Sequence, residues 1–506
     1  MKSMPPALLH ASRYAWRSTL YAPHLALLGG FAALLVYWVG LIAPYNLFAL
    51  KLKPLQDIAK LTRGQPLGQA GFVLTFAALS GLYYLQWRNC RPADPAPDER
   101  HKRAMWLALL TGLVVVNLSM LWLYPVGAAD IFDNIMRGRI AAVYGGNPFY
   151  KIPSDYARDS FYRYIAWRYS PSAYGPLWEL LAAGTSRLAR DNLFANVLGF
   201  KLLGLLFYSG CIALVAGILN RRAPERALQG VCLFAWNPLV IYETAGNGHN
   251  DIVMVFFILL SLYALLSRRF TWAALALTAG ALVKFIPILL LPVALVAGLR
   301  AQSTRQARWR FLPGALLACL VLVIAAYAPF WRGGDPLSIR RRETLFTASL
   351  PALVQAQLEK PLGQQASQQL AARAALLLTG CAVAAQTWRA WRKTDWLAPA
   401  RAWARILLFY LLFTCLWFQS WYTLWPLALA AILPEGALSR TIVLLSYSAI
   451  WKTITFDFFL FRKDKPLPRL QREAILGPVT LGLTWLYMGY VLLRTQITGR
   501  VEKLIH

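Results

Sequence analysis

The sequence has few charged residues for its length. Asp, Glu, Lys and Arg make up 15% of 506 residues, whereas hydrophobic residues make up 58% and aromatic residues 13%. An ordinary soluble domain needs far less apolar composition. Apolar stretches of about 20 residues, the length that crosses a bilayer, recur from one end of the chain to the other. The composition therefore predicts an all-α polytopic membrane protein and leaves no room for a large soluble domain.

Several sequence motifs are also missing. The six cysteines are scattered and include no CxxC pair, so neither a disulfide framework nor a zinc site is indicated. No second histidine or cysteine stands at ligand spacing from His249, and a divalent metal lacks motif support. There is no phosphate-binding loop of the GxxxxGK[ST] type and no strand-borne GxGxxG. A sugar donor, if there is one, is expected to arrive already linked to lipid.

Acidic residues are scarce relative to basic ones, with 22 Asp and Glu against 52 Lys and Arg and a net charge of +30. Basic residues lie between apolar stretches, as at 221–226, 268–269 and 300–310, which is the pattern of cytoplasmic loops in membrane proteins. Nucleic-acid binding is not indicated, because none of its motifs occurs. We expect an uncleaved first span that acts as an anchor.

The apolar pattern predicts one transmembrane domain over residues 1–506, with eleven to fourteen spans. Two apolar stretches, 271–299 and 420–433, are interrupted by polar residues or proline and are expected to be broken or re-entrant elements. The candidate spans lie near 24–44, 68–87, 104–126, 193–219, 227–243, 251–267, 311–330, 368–388, 403–418, 438–455 and 474–494.

If the N-terminus is cytoplasmic, the three predicted spans before residue 127 place residues 127–192 on the outer side of the membrane. Apolar residues recur at helical spacing from 131 to 144, Gly145 and Gly146 then stop that helix, and 154–169 is a second candidate helix. Both are predicted to lie in the membrane interface. Further outer loops are predicted at 331–367 and 456–473.

The last two loops carry basic residues that run against the usual charge bias. Either long loops cross regardless of their charge, or the side chains contact anionic headgroups. The alternative is a basic surface that holds lipid phosphates. The residues concerned are Arg340, Arg341 and Arg342 in the first loop and Arg462 in the second.

Asp130 and Asp133 follow the third predicted span. On spacing alone Asp130 could merely cap the helix that begins at Ile131. A carboxylate at the membrane surface, facing a cavity, could also take a proton from a sugar hydroxyl. The sequence leaves both possibilities open.

A polar cluster between two apolar spans predicts a cavity or an active site, because burying such groups without partners is costly. The cluster includes Asn247, His249, Asn250 and Asp251. A satisfied structural histidine is an equally good interpretation of His249. Lys284, near the middle of its apolar stretch, marks either a hairpin turn or a polar site that suits a lipid phosphate.

The turns around Tyr174 and around Trp421 and Tyr422 are aromatic. By themselves they could be belts of side chains at the headgroup level.

In these motifs the chain resembles the GT-C superfamily of membrane glycosyltransferases, and most of all the polyprenol-phosphate-mannose-dependent alpha-1,6-mannosyltransferases. The motifs occur in order over about 300 residues. They are Asp130-Ile-Phe-Asp133, Gly145-Gly146-Asn147-Pro148-Phe-Tyr150, Ser172-Ala-Tyr174-Gly175-Pro176-Leu-Trp178, Asn237-Pro238, His249-Asn250-Asp251, Val283-Lys284 and Trp421-Tyr422.

The resemblance implies an inverting hexosyltransferase that moves a sugar from a polyprenyl-phosphate carrier to a hydroxyl of a glycan or glycolipid. Mannose is the expected sugar, with glucose and arabinose left open. Asp130 is the implied catalytic base and Asp133 the runner-up. The expected donor-phosphate residues are His249, Lys284, Arg340, Arg341 and Arg462, and the expected substrate-binding residues are Asp133, Arg137, Tyr174, Asn247, Asn250, Asp251, Trp421 and Tyr422.

We further expect a monomer in the inner (plasma) membrane with its site on the periplasmic or extracytoplasmic side. The alternative is a transporter or flippase of lipid-linked sugars, which should show two related halves. No internal repeat is visible in the sequence.

Overall fold

A computed structural model of the chain describes residues 22–50, 54, 57–93, 98–332, 345–393, 395–460 and 467–505. Helices account for nearly all regular structure in these ranges, and no β-strand forms there beyond two isolated bridges. The all-α polytopic class predicted from the composition is confirmed.

In the described part of the chain, eight helices are long and apolar enough to cross a membrane. They are α1 (Pro23–Ile42), α2 (Pro66–Asn89), α3 (Glu99–Met120), α6 (Leu193–Arg222), α12 (Arg305–Phe330), α14 (Gln364–Arg392), α17 (Ala437–Leu460) and α18, whose apolar part is Arg469–Gln496 and which runs on to Ile505.

Shorter helices lie between the long ones. They are α4 (Asp130–Ala142), α5 (Pro176–Ala189), α7 (Ala227–Ala235), α8 (Pro238–Gly246), α9 (Asp251–Leu266), α10 (Phe270–Ala281), α11 (Ile286–Arg300), α13 (Leu350–Leu362), α15 (Ala398–Phe409) and α16 (Leu424–Ile432). The chain bends by 119° between α8 and α9, and these two helices make a ninth span if they are counted as one. A total of eleven to fourteen spans stays a prediction, because several of the predicted spans are these shorter helices.

Two apolar stretches are broken where the sequence predicted a break. Residues 271–299 divide into α10 and α11, with Lys284 in the connection. The stretch 420–433 begins with a 3₁₀ turn, Ser420–Thr423, and continues as α16. In a bilayer such backbone breaks are tolerated only where protein or a water-filled cavity satisfies the polar groups. Both breaks face the same cavity, described below.

The loop 127–192 contains two helices, α4 and α5, that pack against each other. Two acidic residues in the first turn of α4 favour its N-terminus, where the helix dipole is positive. Gly145 adopts a positive φ of 62°, and the N–H of Gly146 returns to the carbonyl of Ile140 at 2.8 Å, so the glycines end the helix as expected. Every residue of α4 from Ile131 to Ile140 is buried in protein.

Other details of the loops differ from the sequence interpretation. The helix predicted over 154–169 is wrong: only two 3₁₀ turns form there, Pro153–Tyr156 and Tyr162–Tyr164, and the backbone N–H groups of Ala166 and Trp167 donate to Asp133 and not to a preceding turn of helix. The loop predicted at 456–473 is shorter, since α17 runs to Leu460 and α18 begins at Arg469. The loop predicted at 331–367 contains α13.

Candidate functional site

A cavity of about 710 Å³, counting the space open to solvent, lies between α4, the aromatic loop that follows it (residues 143–175), the break at Lys284 and the turn before α16. Seven residues predicted for the site line it: Asp130, Asp133, Arg137, Tyr174, Lys284, Trp421 and Tyr422. Seven lining residues were not predicted: Trp167, Ser170, Pro171, Ser172, Ala173, Leu345 and Trp417.

Asp130 is the first residue of α4, and its side chain does not cap the helix. The capping interpretation left open by the sequence is therefore wrong. One fifth of the side chain is exposed, at 20%, and it faces the cavity. A carboxylate that is partly desolvated yet accessible is suited to accepting a proton from a bound hydroxyl.

Asp133 lies one turn further along α4 and is almost fully buried. Its oxygens accept hydrogen bonds from the backbone N–H groups of Trp167 at 3.0 Å and Ala166 at 3.4 Å. Burial raises the pKa of the Asp133 carboxyl to about 7, although Arg137 works in the opposite direction. These contacts hold the aromatic loop against α4 and leave Asp133 less free than Asp130 to take a substrate proton.

His249 lies behind Asp130 and is absent from the cavity lining. Its Nε2 is 4.0 Å from a carboxylate oxygen of Asp130, and its Nδ1 is 3.0 Å from Oε2 of Glu243. The ring stacks on Trp421 with centroids 3.9 Å apart. Trp421 thus separates the imidazole from part of the cavity, and the histidine is held by aromatic and acidic neighbours.

Glu243 connects this histidine to the loop that precedes Asp130. Its Oε1 accepts a hydrogen bond from Ser420 at 2.7 Å, and its Oε2 accepts one from the Asn247 amide at 2.8 Å. Asn247 in turn accepts a hydrogen bond from the backbone N–H of Gly127 at 2.9 Å. The α8–α9 bend therefore fixes the position of the chain three residues before Asp130.

Gly248, in the same bend, has a φ of 70°. The positive φ favours glycine here, and a Cβ at this position would also lie 2.6 Å from Cδ1 of Ile131, which would have to shift.

Lys284 is buried and lines the cavity beside three aromatic rings. Its ammonium contacts both carboxylate oxygens of Asp251, at 2.7 and 2.9 Å, and lies 5.0 Å from the ring centroid of Tyr422 and 5.6 Å from that of Tyr174. Trp425 donates a hydrogen bond to Asp251 at 2.6 Å. Asp251 neutralises Lys284 from the side away from the cavity, since it does not line the cavity itself.

Arg137 is the second cation in the cavity wall. One guanidinium nitrogen lies 3.8 Å from Asp133, and another donates to the carbonyl of Ser170 at 3.4 Å. Its Nε is buried with no hydrogen-bond partner among the described residues. A buried cation with spare N–H donors is suited to binding an anionic group.

Glu179 lies beneath the cavity, on α5, and is fully buried. It accepts a hydrogen bond from the hydroxyl of Ser172, a lining residue. Burial raises the pKa of the Glu179 carboxyl to about 7. This residue supports the wall of the cavity.

Several predicted site residues lie elsewhere. Asn247, Asn250 and Asp251 are buried but absent from the cavity lining, while Arg340, Arg341, Arg342 and Arg462 lie outside the described residues. Within the described ranges, no group of three or more His, Cys, Asp or Glu side chains is arranged to hold a metal ion.

Lys201 is a buried residue that the sequence interpretation missed. It lies in α6, and its ammonium donates hydrogen bonds to the carbonyls of Met120 at 3.3 Å, Leu121 at 3.2 Å and Leu123. These carbonyls belong to the end of α3 and have no later turn of helix to bond to. Lys201 therefore fixes the start of the loop that leads to Asp130. Its position as a lysine inside an apolar span is the sequence signal that could have identified it.

These features define a class: a multi-pass helical membrane protein in which a partly exposed carboxylate and two buried cations face one cavity. Residues 26–300, more than half of the chain, match the family described as alpha-(1→6)-mannopyranosyltransferase, N-terminal domain. The chain belongs to this family, and the resemblance drawn from its motifs is confirmed. The matched residues include Asp130, Arg137, His249 and Lys284, whereas Trp421 and Tyr422 lie beyond them.

A curated relative is alpha-(1→6)-mannopyranosyltransferase B of Corynebacterium glutamicum. It is 29% identical to this chain over 165 residues, which cover 29% of the chain and 27% of the relative. The chain thus aligns with just over a quarter of the relative's length. No solved structure matches it significantly.

Proposed function

We propose that this protein transfers a sugar from a polyprenyl-phosphate carrier to a hydroxyl of a glycan or glycolipid, with inversion at the anomeric carbon. Its family indicates that the sugar is mannose. The observation that carries the proposal is the position of Asp130 in the cavity wall, partly exposed, in a cavity that two buried cations also line. Family membership supports the sugar and the reaction class.

Asp130 acts as the general base in this proposal. It takes the proton of the acceptor hydroxyl as the oxygen attacks the anomeric carbon, and the bond from that carbon to the phosphate oxygen breaks with its electron pair. The products are an alpha-glycoside from a beta-linked donor, and polyprenyl phosphate. A positioned base of this kind contributes about 10²–10⁴-fold to a rate.

Arg137 and Lys284 bind the donor phosphate. The phosphate gains a second negative charge as the glycosidic bond breaks, so cations that are already in place stabilise the transition state more than the bound donor. Their burial strengthens this effect, because fewer water molecules screen the charges. Arg340, Arg341 and Arg462 remain candidates for the same phosphate, and Tyr174, Trp421 and Tyr422 for the faces of the sugar.

We assign His249 and Glu243 a positioning role for Asp130, in place of the direct phosphate contact expected for His249 from the sequence. The short distances along Asp130, His249 and Glu243, together with the stacking of the imidazole on Trp421, support this assignment. The arrangement resembles a base held by a second group and oriented by a third.

The direct test uses the purified full chain in lipid nanodiscs with a beta-linked polyprenyl-phosphate mannose and an alpha-mannoside acceptor. We expect an alpha-linked product and an equal amount of released polyprenyl phosphate. Parallel reactions with glucose and arabinose donors identify the sugar. Movement of the labelled lipid between leaflets of proteoliposomes, with no product formed, would sink the proposal in favour of a flippase.

The cavity is proposed to face the extracytoplasmic side of the plasma membrane. A membrane-impermeant maleimide tests this in cells that carry cysteine-free variants with one added cysteine. Arg158→Cys, on the loop beside the cavity, should react, whereas Arg305→Cys, at the other end of the spans, should react only after the cells are opened. The reverse pattern would place the site in the cytoplasm.

A further inference from the structure

A second cavity, of about 1270 Å³, opens between α2, α7, α17 and α18. Its wall is mostly apolar and aromatic and includes Tyr83, Trp87 and Tyr447. One end carries Arg91, Arg226, Arg440 and Glu435. We call this feature the arginine groove.

The arginine groove has its charged end at the opposite end of the helical bundle from Asp130. Arg91 lies just before α3, and Asp130 follows its C-terminal end. Since α3 has 22 residues and a helix rises about 1.5 Å per residue, its two ends are about 33 Å apart, roughly the thickness of a hydrocarbon core. The groove and the cavity therefore meet different leaflets.

The charges in the groove do not balance. Glu435 accepts hydrogen bonds from Arg91 at 2.8 Å and from Arg440 at 2.9 Å, while Arg226 donates to the carbonyl of Ile432 at 2.9 Å. Among the described residues that line the groove, one carboxylate thus faces three guanidinium groups, an excess of two positive charges; Glu225, the neighbour of Arg226, lies outside the lining. Each guanidinium has five N–H donors, so several donors remain for a ligand.

Two of these arginines are accessible. The side chain of Arg91 is 40% exposed and that of Arg440 is 57% exposed. Arg91 lies over the ring of Trp87, with its guanidinium carbon 4.4 Å from the ring centroid, and its Nε is buried with no hydrogen-bond partner in the described part of the chain. A fixed, incompletely satisfied guanidinium beside an apolar groove is suited to a lipid phosphate.

We propose that the arginine groove binds an anionic phospholipid of the leaflet opposite the cavity at Asp130, with its phosphate among Arg91, Arg226 and Arg440 and an acyl chain along the aromatic wall. Glu435 favours this occupant over a polyprenyl phosphate. Hydroxyls of a glycerol headgroup can donate hydrogen bonds to the Glu435 carboxylate, whereas a polyprenyl phosphate has no headgroup hydroxyl beyond the phosphate itself.

The test measures lipids retained by the detergent-purified full chain, by native mass spectrometry after incubation with equal amounts of phosphatidylglycerol and phosphatidylcholine. Wild-type protein should retain phosphatidylglycerol at least about tenfold more, and the double variant Arg226→Gln/Arg440→Gln should lose that preference, as expected for a loss of about 1.4 kcal/mol or more. Arg305→Gln/Arg310→Gln is the matched control. It removes the same charge at exposed positions of the same end of the bundle and should leave the preference unchanged.

A second variant distinguishes loss of lipid binding from misfolding of the Arg226→Gln/Arg440→Gln protein. Leu444→Trp fills the groove, keeps every arginine and should also abolish retention of phosphatidylglycerol. Equal retention of both lipids by wild-type protein would overturn the proposal. Equal losses in the two arginine double variants would indicate a general charge effect and would also overturn it. Unchanged retention in Leu444→Trp would do the same, as would displacement of phosphatidylglycerol by equimolar polyprenyl phosphate.

Discussion

Nε2 of His249 lies 4.0 Å from the carboxylate of Asp130, although the two residues belong to different helical segments. On its other side the same imidazole lies 3.0 Å from Glu243. The histidine therefore supports Asp130 from behind and leaves the cavity side of the carboxylate open. This relationship places Asp130 in the cavity wall and His249 behind it.

The first prediction concerns the base. Asp130→Asn keeps the size of the side chain and removes its basicity, so turnover should fall by at least about a hundredfold while binding of the donor changes little. Steady-state assays of product formation measure both quantities. Asp155→Asn, an exposed acidic position in the same loop, is the control and should remain active. Near-normal turnover in Asp130→Asn together with an inactive Asp133→Asn would move the role to Asp133.

His249 gives a second prediction. His249→Gln should lower kcat roughly tenfold or more and leave KM for the donor nearly unchanged, because the ring acts through Asp130 and not on the phosphate. The pH dependence of kcat should shift as well, since the charge next to the base is altered. A large rise in KM with an unaltered pH profile would instead indicate direct contact with the donor.

The Lys284–Asp251 pair makes a third prediction, about stability and activity together. Lys284→Met leaves a buried carboxylate unpaired and should cost about 3–5 kcal/mol, seen as a lower unfolding temperature in detergent. Lys284→Met/Asp251→Asn should recover most of that stability, because the oxygen of the introduced amide can still accept the hydrogen bond from Trp425, and yet stay impaired in turnover. Full activity in the double variant would remove Lys284 from the phosphate site.

Gly127 provides a test of how the loop before Asp130 is placed. A Cβ at this position would lie 2.9 Å from Cγ of Asn247, so Gly127→Ala must push the loop away from the α8–α9 bend. If the Asn247 side chain moves instead, its hydrogen bond from the Gly127 N–H is strained, and in either case a displacement of about 1 Å in a catalytic group can cost about a hundredfold in rate. Gly184→Ala is the control, because no atom of the described structure lies within 4 Å of the added Cβ, and it should be as active as wild type.

The last prediction is a pH dependence of stability from Asp133. The pKa of this carboxyl is raised from 3.8 to about 7, chiefly by burial; Asp130 adds to the shift, and Arg137 and two backbone N–H groups oppose it. Between those two values the folded state binds more protons than the unfolded state, so stability falls as pH rises from about 4 to about 7. The wild-type unfolding temperature should therefore decline over this range relative to Asp133→Asn. A constant difference between the two proteins would contradict the shift.

The sequence alone determined the class of the protein and much of its site. A bilayer demands long apolar stretches and internally satisfied backbone, and this constraint is visible as composition and length. For the same reason, polar residues in or beside apolar stretches singled out His249 and Lys284, and the family resemblance added Asp130 to the same predicted site. The glycine stop after α4 was also predictable, because it is a local property of the backbone.

Only the tertiary structure decided where these residues lie relative to one another. Whether Asp130 caps a helix or faces a cavity, whether His249 lines that cavity or lies behind Asp130, and which acid neutralises Lys284 depend on contacts between segments far apart in the chain. The same is true of the stretch 154–169, where two 3₁₀ turns and backbone hydrogen bonds to Asp133 stand in place of the predicted helix, and of Lys201, whose partners are carbonyls at the end of another helix. Periodicity reports the burial of one segment at a time, whereas these contacts are set by which segments meet.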